Sequence, residues 1–550
     1  MNTETMQCDV LVVGGGLAGV RAALAARKAG ASVITVLKRR LGASGNSARA
    51  GGGFSAALRV ADPDDSPEAH FSDTMAGGSQ IGNPHLVRLL GEMAPAAILE
   101  LQAEGVAFAT ERDQIAQYMA PAQAYRRSVR TAGGGMRQLF EVLGSIARKE
   151  GIRLLEGAIL LDLARIGDQV VGAFGYVPER DELVAFQAKA VVLACGGAGQ
   201  LFPLTSNNSD LTGDGYAVAY RAGARLADME FIQFNPTALA WPLGLRGGST
   251  GGALLGQEGA WLLNRLGERF MARYDLERME RSTRAVTSRA IYREIVEGRG
   301  SEHGAVYLDA TRVDPTALSH ISGHAIPRLL RHGTDPLKDP MEVAPAVHHM
   351  MGGVIVDAHC ATDIQGLYAA GEVAAGVHGA NRLSSNGLSE AVVFGQIAGQ
   401  EAAGYASRAS TPPLPADALE RARLGIEAME KASVDIGPYL ERLRSVMLAG
   451  AGLERCVSST EAALACLAGL KAEAVVVGAS RPGDIPRIVE LRNMLEVGEI
   501  ILRAVLRRTE SRGAHFRTDH PRQNDAEWLA NIVVSPGRNG PDLQVVRICR

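Results

Sequence analysis

The chain has little of what several large classes of protein require. Charge of one sign is not in excess: 57 Lys and Arg stand against 60 Asp and Glu over 550 residues, a formal net charge of -3. Nucleic acids and anionic membrane surfaces are bound by clustered surplus Lys and Arg, so neither is an expected partner and a small molecule is. Apolar runs are short. None approaches the ~18 residues of a membrane-spanning helix, and the polar opening MNTETMQCDV has no secretory pattern, so a cytoplasmic protein without a membrane span is expected. Cysteine is scattered at Cys8, Cys195, Cys360, Cys456, Cys466 and Cys549 with no C-x-x-C pair. That leaves neither a zinc site nor an iron–sulfur cluster its usual ligand spacing, and no bound metal is expected. Repeats of fixed period and low-complexity tracts are also missing, which excludes solenoids and disordered arrays.

What is present is glycine, 64 residues of it, in a chain that is 46% hydrophobic and long enough for two to four domains. Three of the glycine breaks follow strand-like runs. Residues 9–14 (DVLVVG) lead into an Ala-rich segment with helical spacing and then a second apolar run, SVITVL at 32–37, which together read as a βαβ unit. AVVLACGG at 190–197 and LYAAGEVAAG at 367–376 repeat the pattern of a strand ending in Gly. The stretch from about 240 to 345 reads differently, with several polar helices. A nucleotide-binding domain interrupted by an inserted domain follows. After 407 the prolines of RASTPPLPAD mark a linker, and 415–510, rich in Ala, Leu, Glu and Arg at helical spacing, predicts a helical bundle. The last forty residues are less regular. The expected fold class is α/β: a Rossmann-like nucleotide-binding domain (1–240 and 346–407), which the resemblance given below makes an FAD-binding domain, an inserted α+β capping domain (241–345), a helical domain (415–520) and a C-terminal tail (521–550).

Gly14, Gly16 and Gly19 fit G-x-G-x-x-G directly after a strand and at the opening of a helix. There glycines let the backbone approach a pyrophosphate and the helix N-terminus favours its charge. The second strand ends Leu37-Lys38-Arg39, without the acidic residue that usually bonds the adenosine ribose. The loop by itself leaves both NADP and an FAD family with a polar or Lys residue at that place open.

Segments spread over the chain decide the matter. TGDGYAVAYRAGARLADMEFIQFNPTAL (212–239), PAVHHMMGGV (345–354), GLYAAGEVAAGVHGANRLSSNGL (366–388) and TESRGAHFRTDHP (509–521) resemble the succinate dehydrogenase and fumarate reductase flavoprotein family, which includes L-aspartate oxidase. The resemblance implies FAD. It places Gly14, Gly16 and Gly19 against the pyrophosphate, and it wraps Lys38 and the turn from Ser44 to Gly53, with Asn46, Ser47 and Gly52, around the cofactor. Ala198 belongs to the same cofactor-binding set. Asp214 and Glu372 are expected to hold ribose and ribityl hydroxyls, with Asn386 and Leu388 near the flavin ring. Where membrane-bound members carry a His bonded covalently to FAD, this chain has Asn46, which cannot form that bond, so the resemblance implies non-covalent FAD.

The same resemblance implies a catalytic set. Hydride exchange with a flavin next to a carboxylate needs a proton carrier for the neighbouring carbon and cations that hold the carboxylate. Arg284 of STRAVTSR corresponds to the family's proton carrier, and His348 of PAVHHMMGG and Arg382 of HGANRL to its carboxylate clamp. An Arg in the first role relies on desolvation, because its free pKa exceeds 12.

Departures matter as much. Asn235 stands where the family has a His in QFHPTG, and the family's T-E-x-x-R-G-E-G stretch reads TGGALLGQEG (250–259), so the relay Glu and Arg fall on Ala253 and Gly256. The second-carboxylate grip and the proton relay are therefore expected to differ, with Asn235 a substrate contact suited to a larger, less charged or amide-bearing acid. MAPAQAYRRSVRTAGGG (119–135) has no acidic residue where L-aspartate oxidase has a Glu. The expected activity is α,β-dehydrogenation of a carboxylic acid or reduction of the corresponding enoate. The alternatives are an amino-acid oxidase using O2, and an electron-transferring chain working with an iron–sulfur partner.

Overall fold

The computed structural model describes residues 2–548 apart from Ser44, Gly52, Gly134, Gly251, Gly252, Gln257, Gly323, His324, 431–434 and Ser480. Strand β1 (Asn2–Val13), helix α1 (Leu17–Lys28) and strand β2 (Val33–Leu37) form the βαβ unit read from the sequence. All five residues of β2 are buried, as expected of a parallel strand covered on both faces.

The three strand–glycine segments, hundreds of residues apart, are neighbours in one sheet. β1 pairs in parallel with β2 on one side and with Glu182–Leu193 on the other. The first half of Glu182–Leu193 pairs antiparallel with Gln169–Val177, and its last three residues pair in parallel with Leu367–Ala369. The carboxyl ends of β1, Glu182–Leu193 and Leu367–Ala369 thus converge, tied by Ala194 N to Val13 O (2.8 Å) and Ala370 N to Leu193 O (3.0 Å). In open α/β sheets ligands bind outside such ends. Helix α1 lies on Asn386–Ala406 through small residues: a Cβ on Gly395 or Gly399 would fall 2.5 or 2.1 Å from the carbonyls of Ala18 and Ala22. This close contact holds the loop after Leu367–Ala369 beside the loop after β1.

The inserted domain carries its own antiparallel sheet, ordered Ile232–Leu239, Met341–Met350, Val306–Asp309 and Trp261–Leu263. A separate core containing Leu262, Phe270, Ile291, Leu308 and Val343 supports it. Its first two strands are the chain's way out of and back into the larger domain, and they place Asn235 opposite Ala346, two residues from His348. Helices Ala416–Glu430, Gly437–Ala451, Val457–Glu473 and Ile485–Arg507 form the helical domain. The fold is therefore the FAD-binding, capping and helical arrangement expected of the family.

The final segment differs from the expectation. Instead of an irregular tail, Ala530–Gly537 and Gly540–Arg547 form a hairpin that adds to Leu226–Ala227 of the larger domain. The apolar run Ile532–Val534, buried throughout, and a two-residue turn, Arg538–Asn539, ahead of Gly540, which has φ +113°, specify it.

The segment Thr509–Pro521 welds these parts together. Arg508 is fully buried and bonds Glu230 (2.6 Å) and Glu510 (3.1 Å), while Glu510 also takes Arg512 (2.7 Å). Arg455, also buried, donates to the Glu230 carbonyl (2.7 Å). Removing one member leaves a buried charge without a partner. Arg508→Ala is expected to cost about 3–5 kcal/mol, read as a lower urea midpoint; a midpoint shift no larger than that of the half-exposed Arg503→Ala would refute the weld. Among the described residues, no helix is long and apolar enough to cross a membrane.

Candidate functional site

A cavity of about 1060 Å³ opens at the carboxyl ends of the parallel strands and extends under the capping domain. That is the upper end of the range for small-molecule sites, enough for a dinucleotide and a small substrate together. Gly14 has φ +122°, and a Cβ there would fall 2.1 Å from the carbonyl oxygen of Ala194. Gly16 precedes α1 without a side-chain cap, so the first amides of α1 face the cavity, apart from Leu17 N, which donates to Ser47 Oγ (3.2 Å). This is the geometry that accepts a pyrophosphate.

Gly14, Gly16, Lys38, Asn46, Ser47, Gly53, Asp214, Glu372 and Leu388 all line the cavity. Ser44 and Gly52 lie outside the described residues. Three expected contacts are not on the wall. Gly19 packs helix against strand instead, a Cβ there falling 2.0 Å from the Gly14 carbonyl oxygen. Ala198 is buried against Gly213. Asn386 turns its amide inward, its Oδ1 meeting His70 Nε2 (2.9 Å) and its Nδ2 donating to Thr74 Oγ1 (3.0 Å).

The polar groups of the cradle are mutually braced. Lys38 Nζ meets Asp214 (2.5 Å), Glu490 (2.7 Å) and Thr212 Oγ1 (2.7 Å). Burial pulls its ammonium down, and Asp214 and Glu490 more than offset this, so it is held above its ordinary range. The other oxygen of Asp214 accepts from Asn493 (2.8 Å). Glu372 accepts from Met350 N (3.1 Å) and Asn46 Nδ2 (3.2 Å), and burial pushes its carboxyl up to about 7. Asn46 in turn accepts from Asn208 N (2.9 Å). It therefore links three loops.

The same cavity is lined by Arg284, His348 and Arg382, brought together from the inserted domain, its returning strand and the loop before Asn386–Ala406. Arg284 is the first residue of helix Arg284–Glu294, whose start is capped by Thr283 accepting from Val286 N (3.3 Å). Its Nη1 donates to Gln233 Oε1 (3.0 Å), a neutral partner, and Gln233 donates onward to Asn381 Oδ1 and the Arg382 carbonyl (both 2.8 Å). With no carboxylate beside it, burial and the charge of Arg382 bring the Arg284 guanidinium down to about 9. His348 Nδ1 is 2.8 Å from Ser206 Oγ. Burial, then Arg382 and Arg284, push this imidazole well below its ordinary 6.5, so it is neutral. Arg382 is buried, and among the described residues its Nε has no partner and its Nη1 bonds only the Leu383 carbonyl (3.3 Å). A buried guanidinium with open donors is suited to a bidentate carboxylate.

Asn235 lines the same cavity. The hydroxyl of Thr250 is turned to the Thr237 carbonyl (2.8 Å). Ala253 and Gly256, at the relay positions, carry no ionisable group. Two carboxylates of the inserted domain do reach the cavity: Glu280, clamped by Arg269 (2.6 Å), and Glu258, half-buried. His349, His378 and Glu390 have ligating atoms within 4.8 Å of one another. Arg382 and His349 flank Gly387 together, and that adjacent positive charge disfavours a bound cation.

Sequence reasoning missed Ser206 and Gln233, which orient His348 and Arg284. Ser206 sits in an ordinary polar loop and has no local signature. Gln233 is the first residue of QFNPTA (233–238), the segment that carries the QFHPTG departure, and membership in that motif was its only signal.

A family model described as an FAD binding domain matches residues 9–388, and one described as the fumarate reductase flavoprotein C-terminus matches 440–548. A fumarate reductase (CoM/CoB) subunit of Methanothermobacter marburgensis is 37% identical over 540 residues, covering 97% of this chain and 98% of that one. L-aspartate oxidase of Streptomyces coelicolor is 36% identical over 555 residues, covering 97% and 92%. Among solved structures, a variant of the flavoprotein chain of E. coli quinol fumarate reductase superposes with a TM-score of 0.92 at 28% identity, covering 99% and 97%. The cradle fits the cofactor these models describe: an uncapped helix N-terminus, glycines where a Cβ would collide, and a cavity of matching size.

Proposed function

Because the chain belongs to the fumarate reductase and succinate dehydrogenase flavoprotein family, and is an FAD-dependent oxidoreductase, we propose that it interconverts a carboxylic acid and its α,β-unsaturated counterpart. One observation carries this reading. Arg284, His348 and Arg382, none of them paired with a carboxylate among the described residues, converge on the cavity that also holds the dinucleotide cradle. FAD bound there supplies or accepts hydride at N5. Arg382 and neutral His348 hold the substrate carboxylate, and as charge builds on the carbon beside it the fixed guanidinium stabilises that charge without reorganising. Arg284, with its guanidinium drawn towards 9, gives the proton to that carbon in reduction and takes it in oxidation. Ser206 and Gln233 hold these two groups in place.

The test is anaerobic: oxidised bound flavin is titrated with a panel of saturated carboxylic acids, and, separately, flavin reduced with dithionite is titrated with the matching enoates. Bleaching by at least one acid, or re-oxidation by at least one enoate, is the expected result. Failure of every member in both directions would reject the reading.

A second reading is supported by the L-aspartate oxidase relative, namely oxidation of an amino acid with electrons passing to O2. Peroxide formed from an amino acid distinguishes it. The Methanothermobacter relative is by name one chain of a larger enzyme, which supports an electron-transfer partner; co-purification with a Cys-rich small protein tests this. The cofactor is proposed to be non-covalent, since Asn46 offers no nucleophilic nitrogen and its amide is engaged by Glu372 and Asn208. Acid precipitation is expected to release all of the FAD into the supernatant. Yellow colour in the washed pellet would overturn that.

A further inference from the structure

The inner end of the cavity has a grip for one carboxylate and lacks one for a second. Asn235 is neutral, Thr250 is turned to backbone, and the relay positions hold Ala253 and Gly256. Positive charge reappears elsewhere on the wall. Arg49, the last residue of the one-turn helix Asn46–Arg49 of the FAD-binding domain, and Arg328, in helix Ile326–Arg331 of the inserted domain, both line the cavity. Both are exposed to it. Among the described residues neither side chain makes a hydrogen bond or an ion pair. They are close enough that Arg328, after partial burial, lowers the Arg49 guanidinium, and Asp210 opposes this from a position where it accepts from Gly45 N (3.0 Å). Two guanidiniums facing one space, neither ion-paired to a carboxylate among the described residues, repel each other, and an anion placed there relieves that repulsion and meets two planar donor forks.

We propose that Arg49 and Arg328 form an anion subsite that binds a second acidic group, a carboxylate, sulfonate or phosphate, of an elongated substrate whose first carboxylate rests on His348 and Arg382. The subsite rests on the carboxylate reading above and extends it to a substrate class: acids with charge at both ends, longer than a four-carbon diacid. It also accounts for why the family's inner second grip can be absent, since the distal charge is met across the domain boundary instead of beside Asn235.

Binding can be read without turnover, from perturbation of the flavin spectrum in the holoenzyme. The probes are hexanoate and adipate, equal in chain length and different by one terminal charge. Wild type is expected to bind adipate about tenfold or more tightly than hexanoate, because a hydrogen bond to a charged group contributes roughly that factor. Arg49→Ala and Arg328→Ala are each expected to remove most of the preference, leave the hexanoate constant within about twofold, and abolish the weakening of adipate binding by added salt. Arg328→Lys should restore part of it. Equal binding of the two probes by wild type, or an equal loss for both probes in the variants, overturns the subsite. So does a rise in the FAD dissociation constant of the variants with the preference unchanged, which would assign the two guanidiniums to the cofactor's phosphates. Because the readout is binding, a wild type that prefers adipate yet is bleached by no acid would reject the proposed reaction and leave the subsite standing.

Discussion

Arg284→Lys is expected to lower turnover by about 10²–10⁴-fold, the span that a positioned proton carrier contributes, while FAD content and thermal midpoint stay near those of wild type. The substitution keeps the charge and the helix start, since Thr283 rather than Arg284 caps Arg284–Glu294. What it changes is reach and geometry: a planar fork held by Gln233 becomes a flexible point charge. The loss should fall on kcat with KM little altered, because Arg382 and His348 hold the substrate. The pH profile gives a second reading. Arg284 is drawn down to about 9 by burial and Arg382. Reduction of an enoate needs the protonated form, so kcat/KM in that direction should be level below about pH 8 and fall as pH rises through 9. Oxidation needs the deprotonated form and should gain over the same interval. Lysine at 284 should move this limb. An unchanged limb in the variant would assign it to another group and remove Arg284 from the proton path.

Much of this site is legible in the sequence, though not by local pattern. The glycine loop and the strand–Gly breaks at 190–197 and 367–376 follow from spacing, because each must end a strand where backbone approaches a ligand, and all three meet in one sheet. Arg284, His348 and Arg382 lie 64 and 34 residues apart, and no periodicity joins them. Resemblance to a family whose fold makes them neighbours is what finds them. That route fails where it treats a motif as a set of contacts. Asn386 belongs to the motif because His70 and Thr74 need it, and Gly19 because the Gly14 carbonyl leaves no room for a Cβ. Motif membership records a constraint without saying whether ligand or packing imposes it. The segment Thr509–Pro521 makes the same point, since its charges are buried in an interdomain network. The hairpin Ala530–Gly537 and Gly540–Arg547 escapes a sequence reading because its partner, Leu226–Ala227, is too short to register as a strand and lies about 300 residues away. Arg49 and Arg328 carry no motif; only the closing of one domain over the other places them on one cavity.

Arg382→Lys should be damaging in a different way, with most activity lost and FAD retained. Arg382 is buried, its Nε is unpartnered among the described residues, and its charge adds to burial in keeping His348 neutral and drawing Arg284 down. A lysine there keeps a positive charge and removes the two parallel donors that fit a carboxylate. Losing one preorganised donor at a site of developing charge costs about 10²–10³-fold in turnover, and the clamp also acts on the bound ground state, so KM should rise while kcat falls. That joint change separates it from Arg284→Lys, where KM holds. Guanidinium ion added in solution should recover part of the activity of Arg382→Ala, the smaller side chain leaving space for it, and should do nothing for Arg284→Lys. Near-normal kcat/KM in Arg382→Lys would reject the clamp, and the carboxylate would then have to rest on His348 and Arg284. In that arrangement one guanidinium would both bind the substrate and move its proton, and the split between KM and kcat effects at Arg284 would disappear.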